Sequence, residues 1–304
     1  MDNVLTTTAL SKRYKHTAAL DALTMHVPKG AIYGFIGRNG AGKTTLIRLV
    51  CGLQLPSQGH FTLYGSDSRS RDIHRARKRI GAVIEKPSLY LDMSAADNLR
   101  QQYRVLGMPS FDGIDSLLDR VGLADTGRKK ARHFSLGMKQ RLGIAMALAG
   151  QPDFLILDEP MNGLDPQGIV EMRELILRLN RDHGLTVLIS SHILDELSRL
   201  ASHYGVIDGG QMVREFSAAE LDAACRKCLR VRVSDVGALA RVLDRAQLDY
   251  DILSDDSADI FAQPVLSQLV YALDAEGCTL LSAKEHDESL ESFFMSLVGG
   301  ARHA

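Results

Sequence analysis

The chain has 304 residues, a length that predicts about two domains. Its 36 lysines and arginines nearly balance its 37 aspartates and glutamates, so that no nucleic-acid partner is expected. Its four cysteines are too few for a disulfide framework and fit a reducing compartment. Because the sequence has neither a signal peptide nor a run of the roughly 20 apolar residues that cross a bilayer, we expect a soluble, cytoplasmic chain.

The part of the chain before residue 210 alternates short apolar segments with amphipathic helical periods. Strands are predicted at 31–36, 81–84, 154–157 and 185–189, and helices at 44–51, 95–106, 137–149 and 169–179. Strands that alternate with helices predict a parallel α/β core. No internal repeat or heptad run is visible, which argues against solenoids and coiled-coil ATPases.

The character of the sequence changes after Gly209 and Gly210. From Leu229 onward the pattern predicts a strand, a helix, two strands, a helix and a strand, with helices at 236–243 and 265–273 and the last two strands at 259–262 and 279–283. That order suggests a small ferredoxin-like α+β domain. A final amphipathic helix is predicted at 289–297.

A phosphate-binding loop lies between the first predicted strand and helix. It matches G-x-x-x-x-G-K-[ST] and consists of Gly37, Arg38, Asn39, Gly40, Ala41, Gly42, Lys43 and Thr44. The glycines let the backbone wrap round phosphate groups, Lys43 adds a positive charge, and the Thr44 hydroxyl suits Mg²⁺. The alternative, a chance glycine-rich turn before a helix, does not account for the strand and helix on either side.

Two acidic residues, Asp158 and Glu159, end the apolar segment 154–157. A buried strand delivers such residues to the carboxyl edge of a parallel sheet, where α/β proteins bind ligands. Asp158 suits a role in holding Mg²⁺, and Glu159 suits the general base that polarises an attacking water. A solvated acidic pair opening a turn would explain either residue alone, but not the apolar run beside a phosphate loop.

One further motif lies between the phosphate loop and the acidic pair, and two more follow the pair. In this order the motifs resemble the ABC ATPase family. They are Phe134-Ser135-Leu136-Gly137-Met138-Lys139-Gln140-Arg141, Asn162-Gly163-Leu164-Asp165 and Ile189-Ser190-Ser191-His192. The resemblance covers residues 3 to 215. It implies an α/β P-loop cassette with a RecA-like core, an antiparallel β subdomain and a helical subdomain at 1–215, followed by a small α+β accessory domain at 216–304.

The resemblance also assigns roles to individual residues. Ser135 and the Gly137 backbone N–H would contact the γ-phosphate of an ATP held by a second copy of the chain. Asp165 would communicate between the two protomers, and His192 would be the switch histidine on the γ-phosphate. The remaining nucleotide contacts would be Thr45, after the phosphate loop, and Tyr14, which would stack on adenine.

Three positions depart from the general family pattern: Glu85 replaces the usual glutamine, and Leu136 and Met138 replace glycine and glutamine. Glu85 could act in catalysis or as a metal ligand, or be an ordinary exposed acid, and it adds negative charge close to phosphate. These departures resemble the branch with bacitracin-resistance, lantibiotic-immunity and multidrug exporters. The chain ending, Ser289-Leu290-Glu291-Ser292-Phe293-Phe294, is similar to that branch too.

The resemblance therefore predicts an ATP- and Mg²⁺-dependent ATPase that works as a dimer at the inner face of the cell membrane and powers export through a separate permease subunit. The alternatives are a soluble ABC ATPase without a permease and a nucleotide-binding regulatory module without turnover. The accessory domain would strengthen dimerisation or sense a regulator.

A dense basic run precedes Glu85 and comprises Arg69, Arg71, Arg75, Arg77, Lys78 and Arg79. We interpret it as a solvated face, since most such clusters are solvated. Contact with anionic lipid head groups is the alternative.

Overall fold

The computed structural model describes residues 2–15, 17–224, 228–261, 264–286 and 293. The chain divides into two compact units, Met1–Ala218 and Ala219–Ala304. No helix among the described residues is long and apolar enough to cross a membrane.

An antiparallel sheet forms one layer of the first unit. Its strands are β1 (Asn3–Tyr14), β2 (Thr17–Pro28), β4 (Gln58–Leu63) and β5 (Ser66–Asp67), and they lie in the order β2-β1-β4-β5. Apolar residues alternate with exposed ones along β2, so that one face of this strand is buried. The sequence motifs alone did not predict these strands, although the family resemblance implied such a subdomain.

A six-stranded sheet carries the phosphate loop. It consists of β3 (Ile32–Ile36), β6 (Ile80–Val83), β7 (Phe154–Asp158), β8 (Thr186–Ser191), β9 (His203–Asp208) and β10 (Gln211–Ser217), in the order β10-β9-β3-β8-β7-β6. All neighbours pair in parallel except β9 and β10. Strands β3, β7 and β8 are buried throughout, as expected of a parallel sheet covered on both faces.

The predicted core strands are confirmed to within two residues at each end. Strand β10 belongs to the main sheet, so the predicted domain boundary after residue 215 falls inside a strand. The break between the two compact units lies just beyond that strand.

Seven α-helices accompany these sheets in the described part of the first unit. They are α1 (Lys43–Val50), α2 (Ile73–Arg77), α3 (Ala95–Leu106), α4 (Ile114–Arg120), α5 (Leu136–Leu148), α6 (Pro166–His183) and α7 (Leu194–Ser198). Helix α6 begins earlier than predicted because the Asp165 side chain caps it and a proline opens its first turn.

The second unit begins with helix α8 (Ala218–Ala224), whose first residue still belongs to the first unit. It continues with β11 (Cys228–Val233), α9 (Val236–Arg245), β12 (Tyr250–Ser254), β13 (Ser257–Ile260), α10 (Leu266–Ala275) and β14 (Leu280–His286). The strands form an antiparallel sheet in the order β12-β13-β11-β14. Apolar residues of the two helices pack on one face of it. The helix predicted at 289–297 lies outside the described residues, apart from Phe293.

The basic run is not a uniformly solvated face. Arg77 donates to the carbonyls of Val50 at 3.0 Å and Leu49 at 3.5 Å, and its guanidinium lies 5.7 Å from the Phe61 ring centroid. Arg77 therefore caps the carboxyl end of α1, where the last carbonyls have no partner four residues on within the helix, although the Leu49 carbonyl also accepts from the Gly52 N–H at 3.1 Å. The expectation of a solvated side chain was wrong for Arg77, because a helix end lies within its reach.

Candidate active site

The phosphate loop leaves β3 at Gly37 and enters α1 at Lys43. Gly42, the residue before the helix, has a φ of 111°, and a Cβ there would lie 2.4 Å from the Ala19 carbonyl oxygen. A Cβ on Gly37 would lie 2.6 Å from Ile207. Glycine is therefore required where the loop passes close to neighbouring backbone.

Lys43 places a cation inside this loop. The residue is only 4% exposed, and its Nζ donates to the carbonyls of Gly37 at 2.6 Å and Arg38 at 3.3 Å. The same nitrogen lies 3.2 Å from Glu159 Oε1. A buried ammonium needs such partners to offset its lost hydration, so the loop and the acid hold the charge in one place.

Asp158 meets two hydroxyl groups from neighbouring elements. Its Oδ2 accepts from Thr44 at 2.9 Å and its Oδ1 from Ser190 at 2.5 Å. Asp158 and Ser190 are direct partners in the parallel pairing of β7 and β8. The strand ends and the start of α1 thus fix the carboxylate at the sheet edge, where it is 2% exposed.

Glu159 connects Lys43 to His192. While its Oε1 faces Lys43, its Oε2 lies 2.8 Å from His192 Nδ1. The backbone of Glu159 has a φ of 51°, an unfavourable value for a side chain of this kind. Its N–H donates to the hydroxyl and carbonyl of Ser190 at 3.0 and 3.2 Å, and these bonds hold the residue in that conformation.

The sequence analysis assigned no role to Ser190 or Glu196. The buried Ser190 hydroxyl links the two residues, since it donates to the Asp158 carboxylate and accepts from the backbone N–H of Glu159. Glu196 lies 3.4 Å from the Ser191 hydroxyl, and burial raises the pKa of its carboxyl group. Aligning the ends of the two predicted strands could have indicated Ser190, but nothing in the sequence pointed to Glu196.

We expect Ser190→Ala to lower the turnover number of the catalysed reaction about tenfold, because an unsatisfied buried polar group costs about 1–3 kcal/mol. The Asp158 carboxylate loses a donor, and the Glu159 N–H loses one of its two acceptors. The measurement is steady-state phosphate release from the nucleoside triphosphate that the sequence resemblance predicts as substrate. Thr186→Val is the matched control: this buried hydroxyl lies at the other end of the same strand and accepts from the Gly30 N–H at 2.9 Å. An equal loss of turnover in both variants would contradict the role given to Ser190.

Ser135 and Asp165 lie at the starts of two helices and are exposed. Ser135 accepts from the Met138 N–H at 3.2 Å, and Asp165 accepts from the Gly168 N–H at 3.1 Å. In the described part of the chain, neither side chain makes a hydrogen bond or ion pair with the cluster of Lys43, Asp158, Glu159 and His192. The structure thus brings together one group of the predicted residues and leaves the other facing solvent.

The two helix starts contact each other through leucines and glycines. A Cβ on Gly163 would lie 3.2 Å from Leu136, and a Cβ on Gly137 would lie 3.7 Å from Leu164. Leu136, one of the departures from the family pattern, is 43% exposed. It therefore packs on the loop before Asp165 while keeping part of its surface open.

Tyr14 lies at the end of β1. Its ring is partly exposed, its hydroxyl donates to Gln54, and Lys12 Nζ lies 5.2 Å from its ring centroid. An exposed aromatic face is suited to stacking on a planar base, so adenine stacking stays a prediction for this residue.

Within the described ranges, Glu85 makes no hydrogen bond or ion pair with Thr44 or Asp158. It follows β6 with a φ of 59°, and its carboxylate forms an ion pair with Arg48. The contact of Glu85 is thus with Arg48, and its catalytic and metal-binding roles stay predictions.

The hydroxyl of Thr44 and the carboxylate of Asp158 form a pair of hard oxygen ligands. No group of three or more His, Cys, Asp or Glu side chains within the described ranges could hold a metal ion. Mg²⁺ usually takes one or two protein oxygens and completes its shell with water and substrate phosphate. The pair therefore fits a magnesium ion that arrives with a phosphate ligand.

Comparison with known proteins gives consistent matches. A sequence model described as ABC transporter matches residues 20–162. The bacitracin transport ATP-binding protein BcrA of Bacillus licheniformis is 38% identical over 99% of both chains. The lantibiotic transport ATP-binding protein SrtF of Streptococcus pyogenes is 43% identical over 68% of this chain and 87% of its own.

A solved structure extends the match to the fold. The cbiO1 subunit of Clostridium perfringens, part of the ABC transporter complex cbiONQ, aligns with a TM-score of 0.66 and 27% identity over 81% of this chain and 97% of its own.

Proposed function

This chain belongs to the ABC transporter family, and we propose that it binds and hydrolyses ATP to power export of a peptide antibiotic or similar drug through a separate permease. The observation that carries the proposal is the convergence of Lys43, Thr44, Asp158, Glu159 and His192 at one sheet edge. ATP hydrolysis requires a phosphate cradle, metal ligands and a base in that arrangement.

Each residue of the cluster has a distinct part in this reaction. The loop N–H groups and Lys43 bind the β- and γ-phosphates, and the cation offsets charge that develops as the γ-phosphoryl group leaves. Thr44 and Asp158 would hold Mg²⁺, which would offset the negative charge of the phosphate groups. Glu159 accepts a hydrogen bond from the attacking water and then its proton. His192 orients the Glu159 carboxylate through the 2.8 Å contact.

A second copy of the chain completes the site. Helix N-termini bind anions through free N–H groups, and the start of α5 is exposed at Ser135. We propose that Ser135 and the Gly137 N–H of one protomer cover the γ-phosphate bound by the other, with Asp165 beside them. Two ATP molecules would then join the protomers, and hydrolysis of the ATP would separate the protomers again.

The named relatives support a role in transport, and we propose that its direction is export. Two of them are ATP-binding proteins for the transport of bacitracin and of a lantibiotic. The proposed partner is accordingly a membrane-spanning permease, and the proposed location is the inner face of the cell membrane. We propose that an accessory domain, predicted at 216–304 and corresponding to the second compact unit at 219–304, acts in dimerisation or regulation.

The test is to express Glu159→Gln in the native host, add ATP, solubilise the membranes in mild detergent and identify the proteins that copurify. We expect a multi-span permease, because the variant should remain in the ATP-bound dimer. Lys43→Ala, which should not form that dimer, is the control and should recover less permease. Recovery of ribosomes or DNA-repair proteins would contradict export and support a soluble ABC ATPase.

A further inference from the structure

Arg48 and Glu85 form an exposed ion pair beside the nucleotide site. Arg48 Nη2 bonds Glu85 Oε1, and the two side chains are 38% and 59% exposed. Arg48 belongs to α1, one helical turn beyond Thr44. The pair therefore joins the helix that begins at the phosphate loop to the segment that follows β6.

Strand register places Glu85 at the edge that carries the two catalytic acids. Val83 of β6 pairs with Leu157 of β7 in parallel, so the residues after Val83 leave the sheet level with Asp158 and Glu159. Glu85 is thus a third carboxylate close to the place proposed for the triphosphate.

A third carboxylate at this edge has an electrostatic cost. Glu85 would repel the phosphate oxygens of ATP and would compete with them for a bound cation, since carboxylates are good magnesium ligands. Lys43 is already shared between loop carbonyls and Glu159. Among the described residues, Arg48 is the cation that the structure pairs with Glu85.

We propose, on the basis of the nucleotide site described above, that Arg48 is a positioning residue that neutralises Glu85 and directs its carboxylate away from Thr44 and Asp158. With the pair in place, the metal ligands and the phosphate cradle remain available to ATP. Without Arg48, the charge of Glu85 acts on the phosphates.

A double-mutant cycle on ATP hydrolysis tests this role. We expect Arg48→Gln to raise the KM for Mg-ATP about fivefold, with less than a twofold change in kcat. A fivefold change corresponds to the largest free energy that an exposed ion pair usually contributes. In a Glu85→Gln background the same substitution should change the KM less than twofold, because the carboxylate it neutralises is gone. Arg48→Lys, which keeps the charge, should recover most of the loss.

Arg79→Gln is the matched control. Arg79 pairs with Asp153, and both side chains are similarly exposed, but Asp153 precedes β7 whereas Asp158 ends it. The control thus breaks an Arg–carboxylate pair at the opposite edge of the same sheet. We expect the KM for Mg-ATP to stay within twofold of the wild-type value, whatever the change in thermal stability.

Three other results would contradict either the role proposed for Arg48 or the nucleotide site on which it depends. An equal KM increase from Arg48→Gln with and without Glu85 would overturn the proposal, since Arg48 would then contact the nucleotide independently of the acid. An unchanged KM in Arg48→Gln would overturn it as well. If instead Lys43→Ala still bound and hydrolysed ATP like the wild type, the proposed nucleotide site would be wrong. This result distinguishes an error in the proposed nucleotide site from an error in the role proposed for the Arg48–Glu85 pair.

Discussion

Lys43→Ala is expected to lower ATP hydrolysis by at least about 100-fold. The substitution removes the cation that the loop carbonyls and Glu159 hold in a buried position. Loss of one preorganised group that stabilises transition-state charge typically costs about 2.7–4 kcal/mol, or two to three orders of magnitude in rate. The measurement is steady-state phosphate release by purified protein, together with equilibrium binding of ATP, which should weaken as well.

Lys29→Ala is the control for that substitution, because Lys29 is exposed in the turn before β3. It should retain the wild-type rate. Since Lys43 is buried, thermal unfolding of both variants should also be compared. A folded Lys43→Ala protein with more than a tenth of the wild-type activity would contradict the role assigned to this lysine.

Glu159→Gln is expected to lower the turnover number by about 10²–10⁴-fold, the usual contribution of a general base. An amide has nearly the same shape, so hydrogen bonds to Lys43 and His192 can be kept, but it does not accept a proton at neutral pH. Binding of ATP should therefore change little. Turnover is measured by phosphate release, and retention of ATP is measured by equilibrium binding.

Glu171→Gln provides a comparison on α6, where Glu171 pairs with Arg141 at 3.4 Å on the protein surface. It should hydrolyse ATP at the wild-type rate. If Glu159→Gln retained most of the wild-type turnover, another group would have to activate the water. If it lost ATP binding instead, Glu159 would act mainly by holding Lys43.

The parallel core could be predicted because its strands are buried on both faces. Continuous apolar runs such as 154–157 are typical of such strands, and Gly37 to Thr44 form a motif with a known strand and helix context. The ends of the helices were less predictable. Helix α6 begins at Pro166 because of its cap at Asp165, a contact that hydrophobic periodicity does not reveal.

The connections within the active site could be predicted only in part. The motifs gave Lys43, Asp158, Glu159 and His192, since each lies at a recognisable position in the chain. Ser190 was missed because its importance comes from lying opposite Asp158 in the neighbouring strand. Strand pairing of this kind depends on the order of strands in the sheet, which periodicity leaves open.

Charged residues were the hardest to interpret from sequence. Arg48 attracted no attention within α1, yet it is the partner of Glu85. The basic run before β6 looked solvated, yet Arg77 bonds the end of α1. In both instances the partner is distant in sequence, and a long side chain reaches it only after the sheet and helix have packed together.

The central claim is that two copies of this chain bind ATP between them. Sedimentation velocity of purified Glu159→Gln with ATP, with ADP and without nucleotide tests this claim most directly. Our account predicts dimers with ATP alone, and it predicts that adding Ser135→Ala or Lys43→Ala returns the protein to monomers. A dimer that forms equally without nucleotide, or a chain that remains monomeric at saturating ATP, would contradict it.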